Sequence, residues 1–247
     1  MSLTLVDVDV AARLVVPALR LEPGLCVVVG HNGAGKSTLL DVLAGVLRPG
    51  SGRALLDDDD LATLAPRARA RRVASLAQEL PASLNHLTVG ARIAQGLAPR
   101  RGPNAGLDDD SRACVAVVAD ELGLLPCLQR RLAELSGGER RRAHVGRALV
   151  DDQAAVVVVD EPFAGLDRAG TALLVAALQR RAQRQIVVVS VHEVQTALAL
   201  GGRLLGLQGG RIVVDGPLPG ALSQAAAVWG DVRVVVDGDY VGVLQKR

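Results

Sequence analysis

The sequence predicts an α/β fold built on a mainly parallel sheet, with a helical lobe inserted between its strands. Three observations carry this expectation. Leu25–Val29, Val156–Val159 and Ile186–Val191 are unbroken apolar runs of strand length, as expected of strands buried on both faces. The last two flank a helical stretch, Arg168–Gln183, which is the βαβ arrangement of a parallel sheet. From Gln78 to Ala148 apolar residues instead recur at helical spacing.

Taken in order, residues 3–10 alternate apolar and polar side chains and read as a half-buried strand; Leu14–Val16 and Leu19–Leu21 read as further short strands. Leu25–Val29 runs into a Gly-rich turn, Gly30–Gly35, and then a helix, Ser37–Val46. Pro49–Gly52 is a turn and Asp57–Asp60 an acidic loop. Leu61–Arg72 reads as a helix with a basic end, and Val73–Ala77 as a strand. The lobe, at about 79–150, contains helical patterns at Val89–Leu97, Ser111–Leu122 and Glu139–Leu149. The loop Pro99–Asp110, rich in Gly, Pro and charge, reads as solvated surface. The tail, about 217–247, holds a short helix and a strand-like run, Val232–Val236, and is too small to fold alone.

Composition narrows the class. The chain has 247 residues, 49% hydrophobic and 22% charged, which suits one large globular α/β unit. A net charge of +2 gives no electrostatic case for nucleic acid as a partner. No apolar run reaches the ~18 residues that span a bilayer, and MSLTLVDVDV lacks the pattern of a signal peptide. Cys26, Cys114 and Cys127 are odd in number and have no CxxC spacing, so a reducing, cytoplasmic setting is expected. Nearly every basic residue is Arg; the lysines are Lys36 and Lys246.

Gly30-His31-Asn32-Gly33-Ala34-Gly35-Lys36-Ser37 fits G-x-x-x-x-G-K-[ST] between a strand and a helix, the context this phosphate-binding motif requires. Gly33 and Gly35 let backbone N–H groups turn toward phosphate oxygens, and the helix N-terminus adds partial positive charge. Gly30, Asn32, Gly33, Gly35, Lys36, Ser37 and Thr38 are therefore candidate ATP ligands. Lys36 is placed to reach the β- and γ-phosphates and the Ser37 hydroxyl to ligate Mg²⁺. A Gly-rich turn that merely caps a helix would look similar, but an ammonium in so Lys-poor a chain argues for function.

Val156–Val159 ends in Asp160 and Glu161, two carboxylates at the C-terminal edge of a buried strand, where open α/β sheets bind ligands. Asp160 is the candidate Mg²⁺ residue and Glu161 the group that orients or deprotonates the attacking water. The structural alternative is a strand ending in an acidic turn punctuated by Pro162.

Leu135-Ser136-Gly137-Gly138-Glu139 precedes that strand and resembles the signature motif of the ABC ATPases. By itself Ser136 with Glu139 could be only a capping box. The resemblance covers residues 1 to about 216 and rests on motif order. It implies a P-loop NTPase core with an N-terminal antiparallel β subdomain, in a single ABC ATPase domain over 1–247. It further implies roles for Gln78 (Q-loop, catalytic and Mg²⁺ contact), Ala164-Gly165-Leu166-Asp167 (D-loop, with Asp167 near ATP) and His192 (the switch histidine at the γ-phosphate). Ser136, Gly137 and Gly138 would close on the ATP held by Lys36 of a second ATPase subunit, most simply another copy. The resemblance also implies ATP and Mg²⁺ as cofactors and membrane permease subunits as partners. A substrate-binding protein would act indirectly, and the chain would sit peripherally on the cytoplasmic face of the membrane. In departure from the family, Val10-Ala11-Ala12-Arg13 offers no aromatic residue for adenine; the first is Phe163, and weak discrimination between ATP and GTP is expected.

LATLAPRARARR (61–72), Leu87-Thr88-Val89 and Trp229-Gly230 with Val232–Val236 resemble importers of iron–siderophore, haem and cobalamin. Glu161–Gly165 also resembles zinc and manganese importers, and a soluble ABC ATPase serving no transporter is a further alternative. Loop Glu79–His86 is the expected groove for a permease helix.

Overall fold

The computed structural model describes residues 1–77, 82–102, 106–225, 228, 232–237 and 240–245. The chain opens with strands β1 (Leu3–Val10), β2 (Leu14–Leu21) and β3 (Gly24–Val29), followed by helix α1 (Lys36–Leu43). Next come β4 (Ser51–Leu56), β5 (Asp59–Asp60), the short helix α2 (Pro66–Ala70) and β6 (Val73–Leu76). The helical lobe contains α3 (Val89–Ala94), α4 (Ala98–Arg101), α5 (Asp109–Glu121) and α6 (Gly137–Leu149). The chain then returns through β7 (Val156–Val159), α7 (Arg168–Ala182), β8 (Ile186–Ser190) and α8 (Val194–Leu200). It continues with β9 (Arg203–Gln208), β10 (Arg211–Pro217), α9 (Leu222–Ala225), β11 (Val232–Asp237) and β12 (Tyr240–Gln245).

The strands form a four-stranded antiparallel sheet, β2-β1-β4-β5, and a six-stranded sheet, β10-β9-β3-β8-β7-β6, parallel except for β10. β11 and β12 pair antiparallel as a separate hairpin. The expected α/β class, with an antiparallel N-terminal sheet and a parallel main sheet, is the architecture found.

The two faces of the main sheet explain its unbroken apolar strands. Val27 and Val29 of β3, Val157 and Val159 of β7, and Val187 and Val189 of β8 join one core with Ile93, Leu122, Leu149, Leu174 and Leu178 of the helices. Their neighbours Cys26, Val28, Val156, Val158, Ile186 and Val188 join a second core with Leu39 and Leu43 of α1 and Leu5 and Leu56 of the antiparallel sheet. Each strand alternates between two buried layers, so neither face can be polar.

Local chemistry corrects several expected boundaries. Leu14–Val16 and Leu19–Leu21 are one strand: Pro17 is tolerated because β2 is the edge of its sheet. The acidic stretch Asp57–Asp60 is a hairpin between β4 and β5, turned at Asp57 with φ 56°, a conformation Asp accepts more readily than most residues. The helix expected over Leu61–Arg72 shrinks to α2. Asp60 holds the preceding turn through Ala62 N–H (3.0 Å) and the Thr63 hydroxyl (2.8 Å), and Ala65 before Pro66 is extended. Within the loop Pro99–Asp110, Arg100 is not merely solvated; its Nε bonds the buried Asp151 carboxylate at 2.7 Å. The hairpin of β9 and β10 adds two strands to the expected ones, turning at Gly209 and Gly210, both at positive φ.

Capping residues place the lobe's helices. Thr88, Asp108 and Ser136 each accept a bond from the backbone N–H three residues on, at the starts of α3, α5 and α6. No helix among the described residues is long and apolar enough to cross a membrane.

Candidate functional site

β3 carries the chain to Gly30 at the C-terminal edge of the sheet. A Cβ there would lie 2.7 Å from the Leu207 carbonyl oxygen and 2.9 Å from Ala34 Cβ, so the loop leaves the strand through a gap only glycine fits. Gly35 sits at φ 101°, and a Cβ on it would meet the Arg13 carbonyl oxygen at 2.7 Å. Helix α1 starts at Lys36 with no side-chain cap. Its first N–H bonded to a backbone acceptor within that turn is that of Leu39, on Gly35 O at 2.9 Å. The N–H groups of Lys36, Ser37 and Thr38 thus end the helix as anion-directed donors. The buried Lys36 ammonium folds back over the loop and donates to Gly30 O (2.8 Å) and His31 O (3.3 Å). Burial lowers its pKa below the usual lysine value, and the negative charges of Glu161 and Asp160 oppose that shift.

The β1–β2 turn is pressed onto this loop. Arg13 N–H bonds Val10 O at 2.8 Å, and Ala12 takes φ 61°. A Cβ on Gly210 would stand 2.6 Å from Arg13 O, so the β9–β10 turn supports the β1–β2 turn from beneath.

β7 lies between β6 and β8 and delivers Asp160 and Glu161 to the same edge. Asp160 is 6% exposed, and its Oδ1 accepts a hydrogen bond from the Ser190 hydroxyl at the end of β8. That hydroxyl also accepts from Glu161 N–H at 2.8 Å. Glu161 has φ 47°, uncommon for a non-glycine residue and in keeping with a functional turn. Arg141 of α6 donates to the carbonyl oxygens of Asp160 (2.8 Å) and Glu161 (2.6 Å). His192 Nε2 donates to Glu161 Oε1. Asp41 of α1 has its pKa raised, first by burial and then by the charge of Asp160.

These elements converge on one cleft of about 810 Å³. Asn32, Gly33, Gly35, Lys36, Ser37 and Thr38 line it on one side, Glu161 and His192 on another, and Ala12 and Arg13 on a third. Asp160 is buried beside it. A cation held by Asp160 and the Ser37 hydroxyl would meet a single carboxylate. Among the described residues no group of three or more His, Cys, Asp or Glu side chains could cage a metal. Such a donor set fits a hydrated Mg²⁺ carried on phosphates.

Other expected residues lie apart from this cleft. Ser136 caps α6, accepting from Glu139 N–H at 3.2 Å, while Glu139 accepts from Ser136 N–H at 2.9 Å. These backbone and hydroxyl bonds also hold the Glu139 pKa below the usual carboxylate value. Ser136 and Gly137 are exposed. A Cβ on Gly138 would lie 3.5 Å from Gly165 O, so the loop before α6 sits against the loop before α7. Asp167 caps α7 through Gly170 N–H at 2.7 Å, and it too is exposed. Gln78, and 79–81 of the expected groove Glu79–His86, lie outside the described residues.

Two residues of the site escaped the sequence. Ser190 had a signal, as the one polar side chain within IVVVSV. Arg141 had none: it stands among three consecutive arginines, and which of them faces β7 depends on how α6 is seated.

Comparison with known proteins agrees with this geometry. The family described as ABC transporter matches residues 18–164. The hemin import ATP-binding protein HmuV of Bradyrhizobium diazoefficiens is 36% identical over 198 residues, 77% of this chain and 71% of that protein. The thiamine import ATP-binding protein ThiQ of Yersinia pestis is 37% identical over 212 residues, 85% of this chain and 86% of that protein. In fold, a dimeric ATP-binding cassette bound to ADP and inorganic phosphate superposes with a TM-score of 0.75 at 20% identity, over 87% of this chain and 98% of the other.

Proposed function

This chain belongs to the ABC transporter family as an ATP-binding domain, and from that premise we propose that it is the ATPase subunit of an importer whose cargo is a metal chelate. The observation that carries the ATPase reading is the single cleft in which the Lys36 loop faces Glu161 and His192. Backbone N–H groups and Lys36 grip the phosphates there, with Asn32, Gly33 and Thr38 completing the wall. Asp160 and Ser37 would hold Mg²⁺, which when bound would neutralise phosphate charge. Glu161 accepts the proton of the attacking water or orients it, and His192 turns from Glu161 to the γ-phosphate. By the family's order of motifs, Gln78 would contact the ion.

The exposure of Ser136, Gly137 and Asp167, away from the Lys36 cleft of their own chain, supports a head-to-tail pair of subunits. In that pair the loop before α6 of one copy closes on the nucleotide of the other. ATP then stabilises the closed pair, hydrolysis releases it, and the cycle is a population shift coupled to permease subunits at the membrane. The chain itself meets neither the cargo nor its binding protein.

The cargo class rests on the hemin-importing relative together with the segments 61–72 and Leu87–Val89. The thiamine-importing relative favours a second reading, an organic cofactor without metal. Reconstitution with the multi-span permease that the chain binds tests both. Turnover stimulated by haem, a ferric siderophore or cobalamin supports the chelate. Stimulation by thiamine, or by free zinc or manganese, replaces it. A chain that never co-fractionates with membranes is a non-transport ATPase.

A further inference from the structure

Ser190 is 0% exposed, yet it carries a hydroxyl into an otherwise apolar strand. A buried hydroxyl is costly unless bonded, and this one is bonded twice. It donates to Asp160 Oδ1 and accepts from Glu161 N–H at 2.8 Å. Both partners sit on β7, and Ser190 ends the neighbouring strand β8, two residues before His192. One hydroxyl therefore joins the two carboxylate residues of the cleft to the strand that carries its histidine.

The consequence for Asp160 is specific. A buried carboxylate can rotate about χ2 and present either oxygen. Ser190 occupies Oδ1, and among the described residues Oδ2 has no hydrogen-bond partner, so it is the oxygen left for a cation or its water. On the Glu161 side, the bond to the N–H pins a residue held at φ 47°, which fixes where its carboxylate leaves the backbone.

Resting on the ATPase reading above, we propose that Ser190 is a positioning residue that orients Asp160 toward Mg²⁺ and anchors Glu161. It touches neither nucleotide nor water; it acts through those two residues. Groups that orient a metal-binding side chain are worth roughly 10–100-fold in metal affinity or activity when removed.

The test compares wild type, Ser190→Ala and Ser190→Thr, which keeps the hydroxyl. A fluorescent ATP analogue is titrated onto each with EDTA and then against increasing Mg²⁺, alongside steady-state ATPase and thermal unfolding. For Ser190→Ala the half-saturating Mg²⁺ concentration should rise about tenfold or more. Its nucleotide affinity in EDTA should stay that of wild type, kcat should fall with little change in KM, and Ser190→Thr should recover most of the Mg²⁺ response. Wild-type Mg²⁺ dependence in a folded Ser190→Ala variant overturns the proposal. So does an equal loss of EDTA and Mg²⁺ binding in both variants with a lowered Tm, which would mean packing only. If wild type itself neither binds nor hydrolyses Mg·ATP, the ATPase reading fails first.

Discussion

Nε2 of His192 donates a hydrogen bond to Oε1 of Glu161, joining two side chains that leave adjacent parallel strands at the same edge. With the imidazole on it, the carboxylate is engaged by the residue we propose to face the γ-phosphate. On that proposal, substrate arrival exchanges this contact for one between His192 and phosphate.

Glu161→Gln keeps the shape and removes the charge and basicity. ATP turnover should fall about 100-fold or more, while Mg·ATP binding persists. Size-exclusion chromatography with ATP should then show an accumulated dimer. Undiminished turnover would reject Glu161 as the key carboxylate.

Gly35→Ala places a Cβ where φ is 101° and the Arg13 carbonyl oxygen would be 2.7 Å away. A loss of about 2 kcal/mol or more in urea unfolding is expected, since strain at positive φ and a backbone clash add. Nucleotide binding should weaken in parallel. A variant with wild-type stability and affinity would contradict this account of the loop.

Ser136 caps α6, and we propose for it a second, separable role at the partner's nucleotide. As the cap of α6, its replacement by Ala should cost about 1 kcal/mol, seen in thermal or urea unfolding. As the residue that reaches the partner's nucleotide, it should also lower kcat in a way that a mixed dimer with Lys36→Ala subunits reproduces at one site. A stability loss with unchanged turnover would leave Ser136 as a cap alone.

The wall formed by Ala12 and Arg13 has no aromatic ring to stack on a base. GTP should therefore compete with ATP within about a factor of ten, because the triphosphate supplies most of the contacts. Competition binding with both nucleotides measures this; a strong ATP preference would point to a base contact elsewhere.

His144 is 3% exposed in α6, and its Nδ1 accepts from Arg92 Nε at 2.8 Å. Burial, then the charge of Arg92 and of Arg141, Arg140 and Arg147, lowers its pKa from 6.5 to about 4. A depressed histidine pKa means that the unfolded chain binds the proton first. The stabilisation is fully present above pH 6.5 and is lost as pH falls toward 4, by about 3 kcal/mol. Urea unfolding of wild type against His144→Gln across pH 4–7 should show a shallower slope in the variant.

The phosphate loop was legible because its function is local. Eight consecutive residues between a strand and a helix contain the turn, the N–H donors and the ammonium, and the structure folds them as their order implies. The capping box at Ser136 and Glu139 was legible for the same reason, since its partners are three residues apart. The unbroken apolar runs of β3, β7 and β8 likewise announced strands buried on both faces.

Legibility declined with separation along the chain. That Asp160 meets Ser190, that Glu161 meets His192, and that Arg141 bonds the backbone of both carboxylate residues are contacts between segments 19 to 31 residues apart. Each depends on strand order and on the seating of α6. The hairpin of β9 and β10 has a local signal in its Gly209-Gly210 turn, and α2 is shorter than its apolar pattern implies because Pro66 keeps Ala65 extended.

From the chain alone came a grip for phosphate, a pair of carboxylates at a strand end and the α/β class, all properties of backbone turns and side-chain periodicity over short spans. Packing alone decided which oxygen of Asp160 is already taken, which of three arginines reaches β7, and that His192 rests on Glu161. These are choices among neighbours, and a neighbour exists only once parallel strands have set distant residues side by side at 4.7–4.9 Å spacing.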